Sequence, residues 1–209
     1  MNHSTLLATA ARLLMVTVAG LVAACQSSSV RDAAPAAVPA WTPGVAAANP
    51  YAVEAGLEVL RAGGSAVDAA VAVQAMLGLV EPQSSGIGGG AFLLHYEAAT
   101  GKVTAFDGRE TAPAGATPDM FLQADGKPMP WRDGVVGGRS TGVPGAMVML
   151  GAAQQRFGKR PWRTLFEPAI RAAEGGIATP GRLARFVNGD WPQARFEDAT
   201  AMFARPDGR

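Results

Sequence analysis

Fifteen residues, Ala66 to Val80, constrain the fold more than any other part of the chain, because AVDAAVAVQAMLGLV is apolar on nearly every face and is interrupted only by Asp68 and Gln74. A helix apolar all round has to be enclosed. A membrane span is excluded by those two polar residues and by length, since about fifteen helical residues reach only some 22 Å against a hydrocarbon core of roughly 30 Å. The many alanines suit close packing, so this segment is predicted to be the innermost helix of a layered domain. Ser65 caps it, and Asp68 three residues later completes a capping-box pattern. Ahead of it, Asn49 is the N-cap and Pro50 the first position of another helix, Tyr51 to about Ala62, stopped by Gly63 and Gly64.

The next stretch, EPQSSGIGGGAFLLHY, admits two readings. Gly86, Gly88 and Ala91 match the degenerate G-x-G-x-x-G/A dinucleotide fingerprint. That fingerprint requires a strand before the glycines and a helix after them, because the phosphate sits on the helix N-terminus. Here the order is reversed: a helix precedes, broken at Glu81 and Pro82, and AFLLHY follows. A P-loop is excluded by the lack of Gly-Lys-Ser/Thr. The glycines therefore let the backbone turn sharply and pack closely as it enters a buried strand, Ala91 to Tyr96. EAATG then closes a β-hairpin whose second strand is Lys102 to about Phe106. His95 has only His3 for company in the sequence, so it is read as a packed strand residue and not a base.

Charge and targeting narrow the function classes. Among 209 residues, 18 basic and 17 acidic side chains give a formal charge of +1 with no basic cluster, which argues against a nucleic-acid partner. Residues 1–24 have the layout of an export signal: one cation, Arg12, then the apolar core Leu13 to Ala24. LVAAC resembles a bacterial lipobox, and Cys25 is the sole cysteine; the expectation is a lipidated Cys25 anchoring an exported chain in the periplasm or cell envelope, the alternative being an ordinary cleaved signal with a cysteine nearby by chance. Residues 25–48, small and proline-containing, read as a flexible tether, and 49–209 as the folded part.

Arg109 stands in DGRETAP, where the hairpin runs out into a proline-ended turn. It is placed to fork two hydrogen bonds onto a carboxylate. The alternative is a surface arginine paired with Asp107 or Glu110. Three stretches, EAGLEVLRAGGSAVDAAVAVQAMLGLVEPQSSGIGGGAFLLHY, DGRETAPAGATPDMF and STGVPGAMVMLGAAQQRFGK, resemble the N-terminal part of the large subunit of γ-glutamyltranspeptidase, or glutathione hydrolase, over Asn49 to at least Gly176.

The resemblance implies an α+β fold, part of the αββα sandwich of N-terminal-nucleophile hydrolases. It also implies cleavage of γ-glutamyl amides such as glutathione through an acyl-enzyme, resolved by water or an acceptor amino acid, with no cofactor and no metal. The nucleophile is a threonine freed by self-cleavage, its own amine acting as base. Arg109 then matches the arginine that grips the glutamyl α-carboxylate. The family's nucleophile lies in a Thr-Thr-His or similar segment of the small subunit; Thr104, Thr111, Thr141, Thr164 and Thr179 lack that context. The chain is thus expected to be a truncated large subunit, inactive alone, with no catalytic residue of its own. The alternatives are a noncatalytic lipoprotein remnant, or a fragment of a related acylase.

Further along, Pro144 opens a helix, Gly145 to Phe157, stopped by Gly158, whose Met147, Val148 and Leu150 are predicted to form a face. A helix from Trp162 to about Glu174 should be kinked or split by Pro168. Another starts at Gly181, and no period is evident beyond Trp191. Trp162, Phe166 and Trp191 are read as core anchors.

Overall fold

Two capped helices form the first layer. In α1 (Pro50–Arg61) the Asn49 side chain accepts the Tyr51 N–H at 3.0 Å. In α2 (Ala66–Val80) the Ser65 hydroxyl accepts the Asp68 N–H at 3.1 Å, and Asp68 Oδ2 accepts the Ser65 N–H at 2.8 Å. Both caps form as their sequences predict. The computed structural model describes residues 42–190 and 195–203; the signal segment, Cys25, most of the tether and Trp191 lie outside the described residues. Pro43–Arg209 forms one compact unit. Small side chains bring α1 and α2 together, with Ala52, Ala55, Met76 and Val80 in one buried cluster. Ala47 already packs against that cluster, ahead of the Asn49 cap.

α2 is the central helix, touching α1, α4 (Ala146–Phe157), a 3-10 segment (Trp162–Phe166) and α5 (Glu167–Gly175). Val67, Asp68, Ala69, Val71, Ala72, Met76 and Val80 are buried, while Val73, Leu77 and Leu79 are only partly covered. Asp68 does more than cap. Its wholly buried carboxylate also accepts the N–H groups of Lys159 at 2.8 Å and Arg160 at 3.2 Å and the Gln154 side-chain amide at 3.3 Å, pinning the turn after α4 to the start of α2.

The hairpin follows the glycine stretch, as its order predicts: β1 (Ala91–Glu97) pairs antiparallel with β2 (Lys102–Gly108), with Leu93 opposite Phe106 and His95 opposite Thr104. Leu93 and Phe106 pack against the main core cluster of Val59, Val71, Ala72, Met149, Leu150 and Leu165. His95 stacks on Phe157, ring centroids 3.9 Å apart, so it is a packed residue.

The strands are not fully buried, contrary to the sequence expectation. Their side chains alternate between faces, and the second face carries Phe92, Leu94, Tyr96 and Val103 at 67, 76, 64 and 64% exposure. An apolar run signals burial on both sides only when both faces are covered. Here one sheet and one helical layer form an α+β half of the expected sandwich. Such a face and its edges invite association. The 209-residue chain alone is therefore expected to elute as aggregate in size exclusion and to show weak near-UV dichroism; a sharp monomer peak with strong near-UV signal would contradict this.

The remaining helices follow local signals with two corrections. Pro168 splits the predicted Trp162–Glu174 helix into the 3-10 segment and α5, and Gly176, at φ 76°, ends α5. The true anchor of the 3-10 segment is Leu165, 1% exposed, with Trp162 and Phe166 packed around it at the cluster's margin. On α4 the buried face is Ala146, Met149, Leu150 and Ala153, while Val148 is 75% exposed. The i, i+3, i+4, i+7 spacing selects this set, and Val148 falls outside it. Three short helices complete the described residues: α3 (Trp131–Val135), α6 (Gly181–Val187) and α7 (Glu197–Phe203). Neither α3 nor α7 is anticipated by periodicity. No helix among the described residues is long and apolar enough to cross a membrane.

Candidate functional site

Arg109 leaves the end of β2 under tight backbone control. Its N–H donates to Asp107 Oδ1 at 2.9 Å. One residue earlier, Gly108 lies against the start of α4: a Cβ there would come within 2.6 Å of Met149 Cβ and 3.0 Å of the Gly145 carbonyl. Two residues later, Thr111 and Val143 exchange backbone hydrogen bonds of 3.3 and 2.9 Å. The segment is thus clamped on both sides of the arginine.

The guanidinium itself faces solvent, 72% exposed, with Nε 3.5 Å from Glu110 Oε2. The surface-pair reading of the sequence is the one the structure realises: the arginine pairs with Glu110, by one nitrogen only. Among the described residues no partner occupies its terminal nitrogens.

Glu110 links this segment to the glycine stretch, accepting the Gly90 N–H at 2.7 Å. Its own backbone N–H, then that of Gly90, and the Arg109 charge hold its carboxyl below the usual carboxylate range. Gly90 has no room for a side chain, since a Cβ would meet Glu110 Cδ at 2.7 Å. Gly86 and Gly88, by contrast, face open space. Of the glycines read from sequence as packing devices, Gly90 acts as one. The Gly89 carbonyl accepts N–H groups from Gly145 and Ala146 at 3.3 and 3.1 Å, so the loop, the strand end and α4 meet at one point.

A cleft of about 500 Å³ opens there, bordered by Arg109, Glu110, Met120, Phe121, Arg139 and Thr141 among others. Arg139 was not singled out by the sequence, and Glu110 only as a possible partner of Arg109. Arg139 sits in a 3-10 turn (Gly138–Ser140), preceded by Gly137 at φ 107°, a value that suits glycine alone. GGRS carries the turn signal, though nothing in it locates the arginine beside Arg109. Among the described residues no group of three or more His, Cys, Asp or Glu could hold a metal.

The family model for gamma-glutamyltranspeptidase matches residues 52–209. The chain belongs to the γ-glutamyltranspeptidase family. It is 46% identical over 164 residues to the glutathione hydrolase proenzyme of Bacillus subtilis strain 168, covering 78% of this chain and 28% of that protein. Among solved structures it superposes on Helicobacter pylori γ-glutamyltranspeptidase with a TM-score of 0.74 at 33% identity, covering 79% of this chain and 47% of that one. The Bacillus anthracis transpeptidase enzyme CapD gives 0.61 at 34% identity, covering 81% and 51%. The fold is that of part of an N-terminal-nucleophile hydrolase. The chain spans 28% of the length of the Bacillus subtilis relative, corresponding to the family's N-terminal portion.

Proposed function

We propose that this chain forms the N-terminal part of a γ-glutamyltransferase/glutathione hydrolase, contributing the substrate clamp of a site whose nucleophile lies in the small subunit of the same precursor. The observation that carries the reading is Arg109: a guanidinium at the lip of the cleft, its backbone clamped and its terminal nitrogens open. A planar fork of that kind matches the α-carboxylate of a γ-glutamyl group. The glutamyl side chain then extends its γ-amide toward a threonine hydroxyl, whose attack expels the amine and leaves an acyl-enzyme. Water or an acceptor amino acid releases the glutamyl group. The open apolar face of the hairpin is the surface on which the second sheet of the sandwich packs. The exported, Cys25-anchored location belongs to the same reading and rests on the sequence of residues 1–25.

Arg109→Lys tests the clamp in the full-length protein. A charge-assisted fork contributes about 1.5 to 3 kcal/mol, so kcat/KM for a γ-glutamyl anilide should fall roughly ten- to hundredfold. Self-cleavage, which needs no α-carboxylate, should continue. Unchanged kcat/KM removes Arg109 from the clamp; a full-length protein that neither cleaves itself nor turns over the anilide supports a noncatalytic remnant instead.

A further inference from the structure

We infer that Arg139 is a second carboxylate-recognising residue in the Arg109 cleft, so that the site selects γ-glutamyl compounds whose leaving amine ends in a free carboxylate. The inference rests on the proposed function and adds the chemistry of the leaving group.

Charge in the cleft is unbalanced. Its border carries two guanidiniums, Arg109 and Arg139, and one carboxylate, Glu110. Glu110 is already committed to the Gly90 N–H and to Arg109 Nε. Arg139 has no ion-pair partner among the described residues, and its one hydrogen bond runs from Nη1 to the Met120 carbonyl. A neutral carbonyl fixes the guanidinium in place and leaves its charge uncompensated. Of the other arginines, Arg132, Arg171 and Arg195 each reach a carboxylate within 3.0 Å, while Arg156, Arg160, Arg163 and Arg185 form no ion pair among the described residues; what sets Arg139 apart is its place on the cleft beside Arg109.

The support beneath Arg139 is ordered. The Ser140 hydroxyl donates to the Val135 carbonyl at 2.9 Å, and the Thr141 N–H donates to the Gly138 carbonyl at 3.2 Å. With Nη1 turned to Met120, the other nitrogens of the fork remain to donate. The wall of the cleft is supplied by Ala112, Pro113, Ala116, Met120 and Phe121, which suits an uncharged spacer. A volume of about 500 Å³ lies within the range of small-molecule sites. Two positive forks on one cleft, with an apolar stretch beside them, describe a ligand with a carboxylate at each end: a γ-glutamyl peptide with a free C-terminus.

Three substrates separate the possibilities in the full-length enzyme: a γ-glutamyl dipeptide with a free C-terminal carboxylate, its C-terminal amide, and γ-glutamyl anilide. The wild type should favour the carboxylate over the amide by about tenfold in kcat/KM, the scale of one charge-assisted contact. Arg139→Gln should remove that preference by lowering the carboxylate substrate alone, with the amide and anilide within about twofold of wild type and Arg139→Lys intermediate. Arg109→Gln should lower all three. Equal loss on all three substrates in Arg139→Gln would make Arg139 a support for the Met120 segment and overturn the inference. So would a wild type indifferent to the C-terminal charge, a comparison that needs no variant to fold. Failure to turn over any of the three sinks the proposed function as well, which distinguishes that outcome from turnover without discrimination.

Discussion

Asp68→Ala is expected to destabilise the full-length protein by about 3 to 5 kcal/mol, because it leaves several backbone N–H groups in the interior without an acceptor. Asp68 is wholly buried, and its Oδ2 accepts from Ser65, Lys159 and Arg160 while Oδ1 accepts from Gln154. Besides completing the capping box of α2, it joins the start of that helix to the turn after α4, 91 residues away in sequence. Asp68→Asn should lose less, about 1.5 to 3 kcal/mol for the charge-assisted part. Its amide nitrogen must face either those N–H groups or Gln154. If Gln154 flips to accept, it gives up the 2.7 Å bond that its amide donates to the Arg160 carbonyl. In a domain of this size, 3 kcal/mol corresponds to a fall of about 6 to 12 °C in the unfolding midpoint. A midpoint within 2 °C of wild type for the alanine variant would show that water takes over the abandoned N–H groups.

The pH dependence has a definite sign. Burial alone would raise the Asp68 carboxyl, but hydrogen bonds from the Ser65 and Lys159 N–H groups, the Gln154 amide and the Ser65 hydroxyl outweigh it and hold the group below its ordinary value of 3.8. A carboxyl depressed in the folded state binds fewer protons folded than unfolded, so its contribution is complete above about pH 4 and is lost as pH falls through the folded value. The gap in midpoint between wild type and Asp68→Asn should therefore be constant near neutrality and narrow below pH 4.

Local chemistry was legible wherever one residue type carries one conformational meaning. Asn49-Pro50, Ser65 with Asp68, and the pair Gly175-Gly176 mark helix ends because caps and left-handed turns are satisfied by neighbours in sequence. The order helix, glycines, strand was legible for the same reason, and it sufficed to exclude a dinucleotide loop. Long-range partnerships were not. Nothing near Asp68 announces that it also holds Lys159, and nothing near Glu110 announces Gly90, because both bonds depend on how layers stack. The strands misled in a particular way: Phe92, Leu94 and Tyr96 alternate with Leu93 and His95 in an apolar run that speaks of two covered faces, while the described residues cover one. For the site, Arg109 could be named from its motif alone. Arg139 could not, since only the fold places it on the same cleft as a residue thirty positions earlier.

Gly145→Ala is expected to damage both stability and substrate use, although it adds a single methyl group at the edge of a helix. The backbone of Gly145 presses on the end of β2: a Cβ would overlap the Gly108 carbonyl, standing 2.8 Å from its carbon and 3.0 Å from the Arg109 oxygen. These are backbone atoms, which cannot rotate away as a side chain can, so the start of α4 and the strand end must separate. Overpacking of this kind costs about 1 to 3 kcal/mol, occasionally more. The displacement falls on the peptide that carries Arg109, and on the Gly89 carbonyl that accepts from Gly145 and Ala146. A guanidinium moved by a fraction of an ångström from its carboxylate loses much of the fork, since misplacement near 1 Å can lower a rate on the order of a hundredfold. The expected result is a fall of about ten- to hundredfold in kcat/KM on γ-glutamyl anilide. Gly151→Ala is the control. It lies in the same helix with nothing within 4 Å of the added methyl, so it should stabilise by about 0.5 to 1 kcal/mol and leave turnover unchanged. If the two variants behave alike, the contact between Gly145 and the strand end does not position Arg109, and the arginine takes its place from the Thr111–Val143 bridge alone.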